Sequence, residues 1–139
     1  WNTGNVIQAI ATTYSTPVSS SGTTRTDSGL AGTITPIGTA SRILAMCTHA
    51  IIVSGVGNGM TINLQRAGAD IYSPVVNGGY FEQGTHVSVR DVISFSYLDS
   101  PGTTAATIYK TQFFRSTGSG TVTIQGDNST ASLVLLEIA

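Results

Sequence analysis

Chemistry in this 139-residue chain would have to start from a small stock of reactive side chains: His49, His86, Cys47, the acids Glu82, Asp91, Asp99 and Asp127, and many hydroxyls. Two isolated histidines do not make a transition-metal site, which needs three or four N, S or O ligands converging on one point. His49 falls in an apolar strand and His86 beside Gly84 in a loop, so the first is expected to be structural and the second exposed. A serine nucleophile would need a histidine and an acid beside it, and no Gly-x-Ser-x-Gly elbow marks such a place. Glu82, Asp91, Asp99 or Asp127 could supply the two carboxylates of a glycoside hydrolase. A chain this short leaves little room for a long sugar cleft, and Asp99 and Asp127 read better as solvated turn acids. Gly55, Gly57 and Gly59 lack the Lys-Ser or Lys-Thr and the helix start of a phosphate loop. Asn128-Ser129-Thr130 fits a glycosylation acceptor but is equally a polar turn. No catalytic residue, metal or cofactor is expected.

Composition narrows the class further. Charged residues are 9% of the chain, against about a quarter in ordinary soluble domains, while hydrophobic residues are 40%. Such a chain can fill a core, which excludes disorder. Ser and Thr supply about a quarter of the residues and with them the polar surface. With little like-charge repulsion to keep single copies apart, part of the apolar surface is expected to be covered by identical neighbours. A net charge of -1 and six scattered basic residues leave no footprint for a polyanion, so nucleic-acid binding is not expected. Lone Cys47 between apolar neighbours reads as a buried thiol with no intrachain disulfide. No window is apolar enough to span a bilayer and no signal peptide is evident, so no membrane contact is expected.

The elements that would position these residues read almost entirely as strands. Helical periodicity is absent, whereas short apolar or alternating runs recur with turn signals every 8 to 12 residues or so. Predicted strands cover Val6 to Tyr14, Leu30 to Ile37, Arg42 to Ser54, Thr61 to Arg66, Ser88 to Leu98, Ala106 to Arg115, Thr121 to Ile124 and Ala131 to Ile138. Thr16 to Thr26 reads as a loop, and Asp70 to Val76 as a short extended piece broken at Pro74. Asn58-Gly59 predicts a tight hairpin. The expectation is one all-β domain over 1–139, a jelly-roll-like antiparallel β-sandwich of about 8 to 10 strands. Residues 1–5 are read as an arm or linker from a longer parent chain.

Arg42 to Ser54 is apolar on both faces, with Ile43, Ala45, Cys47, Ile51 and Val53 on one and Leu44, Met46, Ala50 and Ile52 on the other. A two-layer sandwich buries one face of each strand, so the second face marks a subunit interface. Tyr72, Tyr80 and Phe81, in a Gly-rich region, and the loop residue His86 are candidate surface contacts for a sugar or protein; the alternative for the three aromatics is that they plug the end of the sandwich. Arg66 and Glu137 are strand charges suited to an ion pair, across strands or between subunits, or to an exposed edge.

Several segments in order resemble a domain found in tail-fibre, head-fibre and other virion proteins of tailed bacteriophages, often marine ones. They are Val6-Ile7-Gln8, Gly29-Leu30, Ile34-Thr35-Pro36, Ser41-Arg42-Ile43-Leu44, Leu64 and Arg66. The likeness is densest at Leu98-Asp99-Ser100-Pro101, Thr103-Thr104 and Tyr109-Lys110, and continues in the ending Leu136-Glu137-Ile138-Ala139. The resemblance implies a homotrimeric virion-surface module with no enzymatic activity. Its partners would be other capsid or tail proteins and a host surface glycan or protein. Tail fibre and capsid decoration are both open at this point. A lectin-like carbohydrate-binding domain is the alternative, and a small polysaccharide depolymerase a further one.

Overall fold

A computed structural model of the chain describes residues 4–81 and 88–139. Its ten strands are β1 (Val6–Tyr14), β2 (Val18–Ser20), β3 (Thr26–Ile34), β4 (Arg42–Ser54), β5 (Gly59–Arg66), β6 (Ala69–Gly78), β7 (Ser88–Asp99), β8 (Thr107–Thr117), β9 (Thr121–Ile124) and β10 (Ala131–Ile138). Every ladder between them is antiparallel. One sheet has the order β1-β10-β4-β9-β2 with β7 on the far side of β4, and the other has the order β3-β8-β5-β6.

Strands β9 and β10 lie end to end along one side of β4: β10 pairs with Arg42 to Thr48, and β9 with Ile51 to Ser54. Outside them, β1 pairs with β10 and β2 with β9 in the same way. If β1 with β2 and β9 with β10 each count as one interrupted strand, the sheets read 1-8-3-6 and 2-7-4-5. That is the eight-strand order of a jelly roll, in which consecutive strands mostly alternate between sheets. The fold class expected from the sequence is therefore the fold observed.

Strand alternation explains the core. On β4, Ile43, Ala45, Cys47, Ile51 and Val53 point inward and are fully or almost fully buried. The core divides into two clusters. One gathers Leu30, Ile34, Ile43, Leu64, Tyr109, Leu133 and Leu135, and the other Ile51, Val53, Met60, Ile62, Phe113, Val122 and Ile124. His49 on β4 and Thr111 on β8 fall between them in sequence and in space.

Three local expectations change. Gly57-Asn58-Gly59 is not a hairpin, because both edges of β4 are already occupied, by β7 on one side and by β9 and β10 on the other. The chain crosses instead to the opposite sheet, and buried Asn58 fixes the corner by donating from Nδ2 to the carbonyls of Ser54 (2.8 Å) and Thr121 (3.4 Å). The two-residue hairpin lies at Ala67-Gly68, both at positive φ (49° and 88°), between paired Arg66 and Ala69. Pro74 does not break β6, because β6 pairs only with β5 and an edge strand tolerates a residue without an N–H. Finally, the expected loop 16–26 contains β2, and β3 starts at Thr26 with a register break between Asp27 and Ala31. At the far end of the sheet, Asn5 and Ala139 exchange backbone hydrogen bonds of 3.2 and 3.1 Å.

Candidate functional site

The layer between the two core clusters is a chain of polar side chains. Thr111 Oγ1 lies 3.0 Å from His49 Nε2 and 2.5 Å from Ser28 Oγ, and Ser28 Oγ accepts from the Leu30 N–H at 3.0 Å. On the other ring nitrogen, the Gln125 amide sits 3.3 Å from Nδ1. Gln125 Oε1 has no partner with the amide nitrogen facing the ring. Turning that amide over lets Nδ1–H donate to Oε1 while Nε2 accepts from Thr111, which satisfies both ring nitrogens of His49 and leaves the Gln125 amide nitrogen as the buried group at the end of the chain. Burial pulls the His49 pKa down to about 4, so the ring is neutral at pH 7.

Hydroxyl, imidazole and amide in this order resemble a nucleophile with its base and orienting group. Here Ser28 and Thr111 are 1% exposed and His49 and Gln125 0%, so no substrate meets them in the folded chain. The arrangement ties β3 and β8 in one sheet to β4 and the end of β9 in the other. His49 shares the parity of Cys47 and Ile51, which is the sequence signal that would have turned it inward.

A second buried cluster crosses between the sheets. Arg66 Nη1 on β5 donates to both oxygens of Asp99 on β7 (2.8 and 2.9 Å), and the Tyr109 hydroxyl on β8 donates to Asp99 Oδ2 at 2.6 Å. Asp99 is therefore no solvated turn acid: it continues the inward series Ile93, Phe95, Tyr97 and is 6% exposed. Burial first, and then the Asp99 carboxylate, push the Tyr109 phenol well above its usual range. Arg66 thus makes its ion pair within one chain, between the sheets and not across paired strands. Glu137, 0% exposed, accepts from the Ile37 N–H at 2.7 Å.

Of the other candidate acids, Asp91 and Asp127 both line one open surface notch beside Arg90, and each is already engaged. Asp127 pairs with Arg90 on the surface at 2.5 Å, and Asp91 folds back to accept the Val92 N–H at 2.7 Å. Glu82 and His86 lie outside the described residues. Among the described residues no three of His, Cys, Asp and Glu gather as a metal site. Cys47 is buried, and burial pushes its thiol up to about 12.

Of the aromatic candidates, Tyr72 packs between the sheets, stacked on Tyr97 (centroids 4.8 Å apart, planes at 16°) and tilted against Phe95 at 6.1 Å. It closes the side of the sandwich where β6 faces β7. Tyr80 is 43% exposed beyond the end of β6, and the Phe81 carbonyl accepts from the Gly57 N–H at 2.8 Å.

The two outer faces differ sharply. Across the sheet containing β4, the register aligns rows of outward side chains: Leu98, Leu44, Leu136 and Ala9; then Ser96, Met46, Val134 and Ala11; then Ser94, Thr48, Ser132 and Thr13. Val92 and Ala50 follow, and then Ile52 between Arg90 and Thr123. The sequence candidates Leu44, Met46, Ala50 and Ile52 thus occupy the middle of this face, each half-buried. Where β10 gives way to β9, the intervening turn leaves a notch of about 270 Å³ floored by Ala50 and Ile52 and rimmed by Arg90 and Asp127.

The opposite outer face carries charged side chains bonded to their neighbours, with Ile108 exposed among them. Asp70 accepts from Asn63 (2.9 Å) and Gln65 (2.8 Å) and pairs with Arg25, while Asp27 accepts from Lys110 (2.9 Å) and pairs with Gln112. The Gln112 amide, and then the Lys110 ammonium, hold the Asp27 carboxyl below its usual range.

The fold and its surfaces define an all-β, jelly-roll-like sandwich with one apolar and one polar outer face. No protein-family model matches the sequence, and no curated protein matches it. Among solved structures, the chain is similar to the infectious bursal disease virus VP2 subviral particle, with 13% identity over 96% of this chain and 40% of that one, at a TM-score of 0.47. It is also similar to a structure of the infectious bursal disease virus Gx strain, with 15% identity over 96% of this chain and 37% of that one, at a TM-score of 0.43. The chain spans less than half the length of either.

Proposed function

We propose that this chain is a non-enzymatic structural module of a tailed-phage particle, acting in assembly, stabilisation or host attachment at the virion surface as a tail-fibre or capsid-decoration domain. One observation carries the reading: the described hydroxyl, imidazole, amide and phenol groups that sit together are inside, bonded to one another between the sheets, while the exposed Asp91 and Asp127 are taken up by the Val92 N–H and by Arg90. His49, Thr111, Ser28 and Gln125 form one fastener, and Arg66, Asp99 and Tyr109 another. Such networks fix a unique packing at the cost of reactivity. Arg66, Asp99 and Tyr109 also belong to the segments that resemble the phage domain, which gives that likeness a physical meaning: it follows the residues that lock the sheets. The low charge content supports assembly with identical copies, and the resemblance points to three of them.

Electron microscopy of purified particles, with a gold-labelled antibody against the chain, tests the reading. Labelled fibres or regularly spaced capsid positions are expected. Particles without label, or a purified chain that cleaves a surface polysaccharide and loses that activity in an Asp91→Asn variant, would overturn it.

A further inference from the structure

The reading above leaves open which surface the copies share, and the inference here rests on that reading. We propose that the outer face of the β4 sheet is covered by neighbouring copies of this chain, while the polar face of the other sheet stays outward.

Charge distribution is the first argument. No charged side chain stands in the rows from Leu98 to Ala9, from Ser96 to Ala11 or from Ser94 to Thr13, nor at Val92 and Ala50. Arg42 and Arg90 lie only at the two ends, and Arg90 is already paired with Asp127. In the hydroxyl row Thr48 Oγ1 and Ser94 Oγ bond to each other at 3.0 Å, and a covering partner has to meet the remaining hydroxyls of Ser132 and Thr13. A partner must therefore be uncharged, apolar and tolerant of hydroxyls. The same face on neighbouring copies has that chemistry, each copy of a trimer offering part of it to either neighbour, whereas the face bearing Asp27, Lys110, Asp70 and Arg25 does not.

Size is the second. Four strands about 4.8 Å apart, and about 3.3 Å per residue from Leu44 to Ile52, give a footprint on the order of 500 Å². Two such faces bury about 1,000 Å², the lower bound for a specific protein contact. A patch of this size lies in the upper part of the range of the largest patches that single chains expose, and such patches often serve binding. The notch beside Ala50 and Ile52 adds a recess that an apolar side chain of the neighbour can enter.

The test is the mass of the purified chain by sedimentation equilibrium over a wide concentration range, for the native sequence and two variants. A multiple of 14.3 kDa is expected for the native chain. Met46→Lys with Val134→Lys should weaken self-association at least about a hundredfold, since a desolvated ammonium without a partner is strongly disfavoured. A milder pair, Met46→Ser with Leu136→Ser, guards against misfolding and should weaken it at least about tenfold. Gln112→Lys, on the opposite face, should leave the mass unchanged. A native oligomer whose mass survives both variant pairs with intact circular dichroism overturns this interface but not the assembly reading. A native chain that stays single at millimolar concentration overturns the interface, and particle labelling then decides the function independently.

Discussion

Lowering the pH should weaken the sandwich through His49, whose buried ring is held neutral in the folded chain. Burial holds the folded-state pKa of His49 at about 4, against 6.5 for the free side chain. The depressed value fixes the sign: the unfolded chain takes up the proton first, so stability is complete above pH 6.5 and is lost as the pH falls towards 4. At about 1.4 kcal/mol per pH unit, the loss from this one group reaches about 3 kcal/mol by pH 4. Asp27, whose pKa is lowered from 3.8, contributes only below that window. Urea unfolding at a series of pH values, followed by circular dichroism at fixed protein concentration, measures the slope. His49→Gln keeps a partner for Thr111 while removing the titration. It should be less stable at pH 7 by about 1 to 3 kcal/mol but nearly flat between pH 6.5 and 4. Equal slopes for the native chain and the variant would refute the argument, because the proton uptake would then belong elsewhere.

Other consequences of the packing can be checked in the same way. Tyr109→Phe should cost about 1 to 2 kcal/mol, because Asp99 loses a buried donor, and Asp99→Ala about 3 to 5 kcal/mol, because Arg66 loses its counter-charge; denaturant titration measures both. Gly29→Ala should lower the midpoint markedly, since Gly29 has φ +83° and an added Cβ would strike the Tyr14 ring, whereas Gly68→Ala, with open space around it, should cost only its backbone strain. Cys47 should react with a thiol reagent orders of magnitude more slowly in the folded chain than in urea, because burial removes both access and thiolate; rapid labelling of the native protein would contradict its placement.

Period-two patterning made much of the sheet legible. Ser88 to Leu98 alternates openly, and the doubly apolar Arg42 to Ser54 read as one long strand, as it is. What escaped depended on partners distant in sequence. Asn58-Gly59 carried the stronger hairpin signal, yet pairing on both sides of β4 forced a crossing there, and Ala67-Gly68 made the turn although alanine is uncommon at positive φ. Asp99 looked like a turn acid because Ser100, Pro101 and Gly102 follow it; only the distant Arg66 and Tyr109 make its burial tolerable. Parity could have turned His49 inward, but nothing near it in sequence identifies Ser28, Thr111 or Gln125 as its company. Tyr72 stood beside Pro74 and Gly78, and its stacking on Tyr97 needs the opposite sheet.

The hydrogen bonds between Asn5 and Ala139 make the described chain nearly a closed ring. A short bridge between those two residues would leave the ladders undisturbed, and the chain could then be opened at the exposed Ala67-Gly68 turn, where little is packed against the backbone. A circular permutant built this way should keep the same sandwich while presenting its new termini between β5 and β6, on the sheet whose outer face is polar. A cargo fused there would project from the end of the sandwich beyond Arg66, clear of the middle of the apolar rows.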